Sequence, residues 1–130
     1  MSLSAGSRLG PYEIVLTHWP LDTHRDHRAC AVLVHDAWLQ SHRRFALYFH
    51  EAMTGEQTHG LRPTHSVDIP AVTDRKKAAC DAHRSQDPPS FWGDHERMQR
   101  FRGMESRCAA AEGFAAADGV SRPRDTGTLF

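Results

Sequence analysis

The stretch Thr23-His24-Arg25-Asp26-His27 sets two imidazoles three residues apart with a carboxylate between them. A neutral imidazole is a good zinc ligand, and a carboxylate can orient a ring by accepting a hydrogen bond from its other nitrogen. Placed at the start of a helix, both rings can face one crevice. Two histidines near a helix start are also common surface residues, so spacing alone leaves the metal and the solvated readings open. His65 and His83 could line the same pocket. Equally, His65 could satisfy loop backbone groups, and His83 could sit at a helix C-terminus where the dipole favours it. Glu56 and Gln57 lie in a loop whose Gly, Glu and Gln are usually solvated.

The flanking residues predict what would position these groups. Glu13-Ile14-Val15-Leu16-Thr17 follows Pro11 and reads as a buried strand of the parallel-sheet kind. Trp19 to Thr23 breaks it into a loop, with Asp22 or Thr23 as a helix cap. From Asp26 to Ser41 the pattern is helical. Ala31, Val34 and Trp38, with Cys30, Leu33 and Ala37, form a broad apolar stripe that predicts a well-buried helix. Arg44 to Phe49 reads as a second strand, so the unit is a right-handed parallel crossover. In open parallel sheets ligands bind at the carboxyl ends of strands, which is where His24 and His27 fall.

Further along, Met53 to Pro63 reads as a loop and Ser66 to Ile69 as a third strand. A helix capped by Thr73 or Asp74 runs to about Arg84, with Arg75, Lys76 and Lys77 on its wet face. Asp87-Pro88-Pro89 stops it. A last helix starts at Ser90. It carries Phe91, Met98, Phe101 and Met104 on its apolar side and Arg97, Arg100, Arg102 and Arg107 on a solvated one. His35, His42, His50, His59 and His95 read as surface residues. Residues 1–11 form a loose lead-in, 12–118 the domain, and 119–130 a tail.

Composition bounds the function classes. The 130 residues make one small domain. Sixteen basic residues balance sixteen acidic ones, so no net field draws nucleic acid or an anionic membrane. The apolar runs are too short to span a bilayer, and no secretory signal is visible. Cys30, Cys80 and Cys108 are widely spaced and odd in number, which points to a reducing, cytoplasmic location. Ten histidines make a metal site worth seeking.

The ordered segments resemble the PIG-L/LmbE-like N-deacetylases. Ile14-Val15-Leu16-Thr17-His18-Trp19-Pro20, followed by Asp22-Thr23-His24-Arg25-Asp26-His27-Arg28-Ala29, looks like that family's second motif, a strand leading into His-Pro-Asp-His or a close variant. Phe45 to Phe49 with Met53-Thr54-Gly55-Glu56-Gln57-Thr58 resembles the next strand and loop. Pro63-Thr64-His65-Ser66-Val67-Asp68-Ile69 resembles its Pro-Thr-His-Tyr-Val-Asp-Ile segment. Lys76 through Ala82-His83-Arg84-Ser85-Gln86 resembles its Lys…Ala-His-x-Ser-Gln helix. Arg102-Gly103-Met104-Glu105 and Ala111-Glu112-Gly113-Phe114 resemble its closing Arg-Gly-x-Glu and Ala-Glu-x-Phe. The likeness runs from about Tyr12 to Ala115.

The resemblance implies a zinc-dependent hydrolase that removes the acetyl group from an N-acetylated amino sugar. Zinc would polarise the amide carbonyl and activate a water. His27 would be the metal ligand, His24 would stabilise the oxyanion or protonate the leaving amine, and Asp26 would position a histidine from the outer shell. Glu56, Gln57, His65 and His83 would line the substrate pocket. The fold implied is α/β: a partial three-layer Rossmann-like domain with a mostly parallel sheet, lacking its N-terminal strand and helix.

The family's first motif, Ala-His-Pro-Asp-Asp-Glu, has no counterpart here, and Arg25 stands where proline is commoner. A chain with one metal histidine is expected to be a truncated or inactive deacetylase, marginally stable alone or completed by another chain or oligomer. The alternative is a non-catalytic sugar-binding or interaction module of the same descent. A kinase reading, suggested by His24-Arg25-Asp26, is excluded. The glycine-rich loop, the lysine strand and the intervening residues that a kinase needs are missing.

Overall fold

The computed structural model describes residues 12–53 and 56–118. The predicted lead-in at 1–11, the tail at 119–130, and Thr54 and Gly55 of the central loop lie outside the described residues. The elements run β1 (Ile14–His18), α1 (Arg25–Gln40), β2 (Ala46–His50), β3 (His65–Asp68), α2 (Thr73–Asp81), α3 (Pro88–Ser106) and β4 (Ala111–Ala116). Single 3-10 turns occupy Pro70–Val72 and Arg84–Gln86.

The fold is α/β, built on a four-stranded sheet of order β1-β2-β4-β3. β1 and β2 pair in parallel, Ile14 with Ala46 through His18 with His50, and α1 makes the crossover between them. The expected mostly parallel sheet is corrected at β4, which runs antiparallel to both β2 and β3. The remaining three strands therefore point the same way. β4 gave no strand signal in the sequence. Ala-Glu-Gly-Phe-Ala-Ala has no β-branched residue, and a glycine in its middle weakens strand preference further. Its strand conformation comes from burial between two neighbours.

One face of the sheet packs on α1. Trp38, Phe45, Leu47, Phe49, Leu61 and Ala115 form the buried cluster, with Val15, Trp19 and Val34 against it. The indole N–H of Trp38 donates to the Phe45 carbonyl at 2.9 Å and pins the end of α1 to the start of β2. The broad buried stripe expected of α1 is narrower than its sequence suggested. Ala31 and Trp38, seven residues apart, mark the seam, while Leu33 is 70% exposed and Val32 and Leu39 also face out. A helix lying over two strands buries a line of residues rather than a wide face.

On the other face, Leu16, His50 and Phe114 line a cavity with Met98 and Gln99 of α3. The apolar side assigned to α3 is corrected in part: Phe91 and Met98 are half-buried and face cavities, but the other two residues point out. Phe101 is 47% exposed and Met104 75% exposed. The helical period holds, but the face is turned toward polar and small residues. The buried seam is Trp92, Gln99, Arg102, Gly103 and Ser106, mostly polar or small, so apolar residues could not mark it. Gly103 is required there. A Cβ would lie 2.7 Å from the Cys108 carbonyl oxygen as the chain folds back through Arg107, which takes a left-handed conformation at φ 61°.

Arg102 was expected on a solvated face and is instead the centre of this seam. Its Nε and Nη2 donate to the two oxygens of Glu51 at 2.8 and 2.6 Å, and Nη1 donates to Glu105 at 2.7 Å. The Arg102 and Glu51 side chains are 6% and 4% exposed. The two Glu51 bonds and then the Glu105 bond outweigh burial and hold the guanidinium pKa above its ordinary value. A buried pair of this kind is costly to break from one side, because the partner charge stays buried. Arg102→Met is expected to destabilise the protein by about 3–5 kcal/mol, and Glu51→Leu in the same chain should recover most of that loss. Urea denaturation of the single and double variants measures this. A loss under about 1 kcal/mol for Arg102→Met would contradict it.

Candidate functional site

His18 ends β1 and His50 ends β2, so both stand at the carboxyl rim of the parallel pair. The loop after β1 brings in His24, which caps α1, and His27 in its first turn. The rings meet there. His18 stacks on His27 with centroids 3.8 Å apart and planes within 7°. His24 stacks on the other side of the group, 4.7 Å from His27, and His50 lies 4.8 Å from His18. The expected convergence of His24 and His27 at a strand end is present.

A buried carboxylate organises the cluster. Asp22 is 4% exposed. Its Oδ1 accepts from the His24 N–H at 2.7 Å, and its Oδ2 accepts from Thr58 Oγ1 at 3.4 Å and lies 3.2 Å from His27 Nδ1. Burial pushes the Asp22 carboxyl up. The His24 N–H, then His27 and Gln57, more than offset this and hold it below its ordinary value of 3.8.

The ionised carboxylate can only accept, so a proton on His27 Nδ1 would satisfy it and leave the Nε2 lone pair free. Gln57 competes for the same nitrogen, with its amide nitrogen 2.8 Å away. A bare Nδ1 would instead accept from that amide and leave the Asp22 oxygen without the ring's proton. His24 is the converse case. Its Nδ1 accepts from the Asp26 backbone N–H at 3.2 Å, so its neutral ring carries the proton on Nε2. With the proton of His27 on Nδ1, one ring is a lone-pair donor and its neighbour a proton donor.

Asp26 was expected to hold a histidine through its carboxylate. The structure gives that part to Asp22. The Asp26 side chain is 77% exposed and faces Arg25 Nε at 3.6 Å; only its backbone N–H reaches His24. Asp22 was legible as a cap, but its reach back to His27 depends on the loop path and on Thr58. An antiparallel bridge between Asp22 and Thr58, with Thr23 N–H donating to the Gln57 carbonyl at 2.9 Å, ties that loop to residues 57–58.

An open crevice of about 820 Å³ lies beside the cluster, walled by His27, His50, Glu56, Gln57, Lys76 and His95, with Glu51 and Glu112. Glu56 and Gln57 reach it as expected. His65 does not. It begins β3, bonds Thr64 Oγ1 at 2.8 Å, meets the Tyr48 ring edge-on and borders a separate hollow with Glu13, Phe45 and Ala46, at the strands' opposite rim. His83 is exposed beyond the end of α2, and from that segment Gln86 lines the crevice. Lys76 was expected on a wet face; it is half-buried and paired with Glu112. His50 and His95, expected at the surface, are part-buried. His18 and His50 were findable, since each is the last residue of a parallel strand. Arg102 and Glu112 carried no such signal.

The fit to a metal is partial. His27 offers one suitably polarised lone pair, yet among the described residues no three His, Cys, Asp or Glu side chains group closely enough to hold an ion. The three cysteines form no disulfide. No helix among the described residues is long and apolar enough to cross a membrane.

No protein-family profile and no curated protein matches the sequence. Among solved structures, the chain is similar to the conserved protein TT1542 from Thermus thermophilus, with a TM-score of 0.70 and 24% identity. The similarity covers 85% of this chain and 54% of that one. The chain therefore spans about half the length of that protein, and the likeness establishes a shared fold.

The site also sets the response to acid. Burial, then His27 and His50, lower the pKa of His18 below 6.5, against the opposing pull of Asp22. His95 is lowered by burial and by Lys76, with Glu112 and Asp94 opposing. Both rings are held neutral, so their stabilising effect is full above pH 6.5 and is lost as pH falls toward their folded values. Asp22 adds stability above 3.8 that is lost as pH falls through its lower folded value. Stability measured by urea titration should therefore decline in two stages, one starting near 6.5 and one below 3.8. His18→Phe should shrink the first stage, and Asp22→Asn the second, with a loss of about 1–3 kcal/mol at neutral pH. An unchanged acid profile in both variants would contradict this account.

Proposed function

We propose that this chain carries the downstream part of a PIG-L/LmbE-like N-deacetylase, a zinc-dependent hydrolase that removes acetyl from an N-acetylated amino sugar. The observation that carries the proposal is the pair at the strand rim: His27, whose Nδ1 lies 3.2 Å from the buried Asp22 carboxylate, beside His24, whose Nδ1 accepts from the Asp26 N–H. In metal-assisted amide hydrolysis the ion is held next to a group that stabilises the oxyanion or protonates the leaving amine. His27 would serve the first need and His24 the second. Asp22, rather than Asp26, would be the positioning carboxylate. Stacking between His18 and His24 keeps the His27 ring from swinging away. Glu56, exposed at the crevice, would meet sugar hydroxyls.

When bound, zinc would supply polarisation of the amide carbonyl. Catalytic zinc generally takes three protein ligands, and the described residues supply one. Further donors would come from residues beyond those described or from a complementing chain or oligomer. The β1-α1-β2 unit, with helices on both faces, supports a partial three-layer Rossmann-like domain as its frame. The predicted cytoplasmic location belongs to the same proposal.

The absence of a three-donor group among the described residues favours a second reading, a non-catalytic sugar-binding or interaction module. Zinc content by mass spectrometry and acetate release from N-acetylglucosamine conjugates separate the two. The deacetylase predicts zinc that His27→Ala removes, and a loss of about 10²–10⁴-fold in acetate release in His24→Ala with zinc retained. Sugar binding without zinc or acetate release would leave the module as the answer.

A further inference from the structure

Behind the crevice lies a second, smaller chamber of about 200 Å³. The two share His50, Glu51, Lys76, His95 and Glu112 as common walls. Apart from Gln99, the rest of the inner chamber is apolar: Leu16 from β1, Met98 from α3, and Ala111, Gly113 and Phe114 from β4. At the boundary, Lys76 donates to Glu112, so the passage carries a neutralised pair rather than a net charge.

Two polar groups in the chamber wall are unpaired. Gln99 is 2% exposed, and its amide nitrogen has no hydrogen-bond partner. The Nδ1 of His95 is likewise buried without one. Buried amides in folded proteins are nearly always satisfied, and an exception marks strain or a missing ligand. Gln99 sits in the middle of α3, on a regular helix seam between Trp92 and Gly103, where leucine or methionine would pack without this penalty. An apolar pocket with a few convergent polar groups is the usual form of a small-molecule site.

We infer that the chamber is a subsite for the apolar part of a small amphipathic ligand, a ring or short chain bearing one hydrogen-bond acceptor for the Gln99 amide, while its polar part lies in the crevice. The subsite stands on the cavity and its unpaired polar groups. Naming the polar part as an amino sugar rests on the deacetylase reading above. Under that reading the preferred substrate is a glycoside with an apolar aglycone rather than the free sugar.

Three probes test this on the full chain: acetophenone, N-acetylglucosamine and its 4-nitrophenyl β-glycoside. Binding is followed by calorimetry and by the Met98 methyl signal in NMR spectra. The nitrophenyl glycoside should bind at least about ten-fold tighter than the sugar, the worth of roughly one well-placed contact, and acetophenone should move the Met98 signal. Ala111→Leu should fill the chamber and abolish both effects. Gln99→Met should melt higher than the parent protein yet lose most of the advantage for the nitrophenyl glycoside. A purely structural glutamine would give a lower melting temperature and unchanged affinity, and that result overturns the inference. Equal affinities for the sugar and its glycoside, with the Met98 signal unmoved, overturn it too. If acetophenone occupies the chamber while neither sugar binds nor acetate is released, the subsite holds and the deacetylase reading falls. If acetate is released from the free sugar with no aglycone effect, the reverse is true.

Discussion

The buried carboxylate of Asp22 is the constraint on which the candidate site depends. A carboxylate can be removed from water only if its oxygens are occupied, and here the His24 N–H, the Thr58 hydroxyl and His27 do so. Each partner comes from a different piece of chain: the turn before α1, the loop after β2, and the first turn of α1. Satisfying one ion thus fixes the spacing of three segments. It also favours the Nδ1 proton on His27, while the Asp26 N–H sets the proton of His24.

A second buried charge supports this arrangement from below. Glu51 directly follows His50, and its bidentate pair with Arg102 anchors the end of β2 to α3. Were that pair absent, the last residues of β2 would be free to fray, and His50 with them. The cost of burying both ions is offset only by good geometry, so their role is better understood as setting one arrangement than as adding net stability. The exposed ion pairs, such as Lys77 with Asp81, contribute little by comparison.

Much of the frame was legible from local pattern. The run Ile14 to Thr17, the helix around Trp38 and the strand ending at Phe49 have periods and breakers that determine their type, and the crossover rule joins them. What was illegible depended on partners distant in sequence. β4 is a strand because two neighbours bury it, despite alanines and a glycine. α3 presents Gln99, Arg102 and Ser106 inward because a carboxylate and a cavity wait there, whereas Phe101 and Met104 look like core and lie outside. Within the site, His24 and His27 were visible as a pair. Asp22, four residues upstream of Asp26, looked like one more cap. The choice between the two carboxylates was made by the loop at Thr58, which closes over Asp22 and leaves Asp26 beside Arg25.

The ring protons of His24 and His27 test the central claim most directly. Long-range nitrogen–proton NMR correlation of the imidazole rings at neutral pH distinguishes the two tautomers of each histidine. The Asp22-centred arrangement predicts His27 protonated on Nδ1 and His24 on Nε2, with His27 losing its preference in Asp22→Asn. A His27 ring protonated on Nε2 in the parent protein would contradict it, because Nε2 would then have no lone pair to offer.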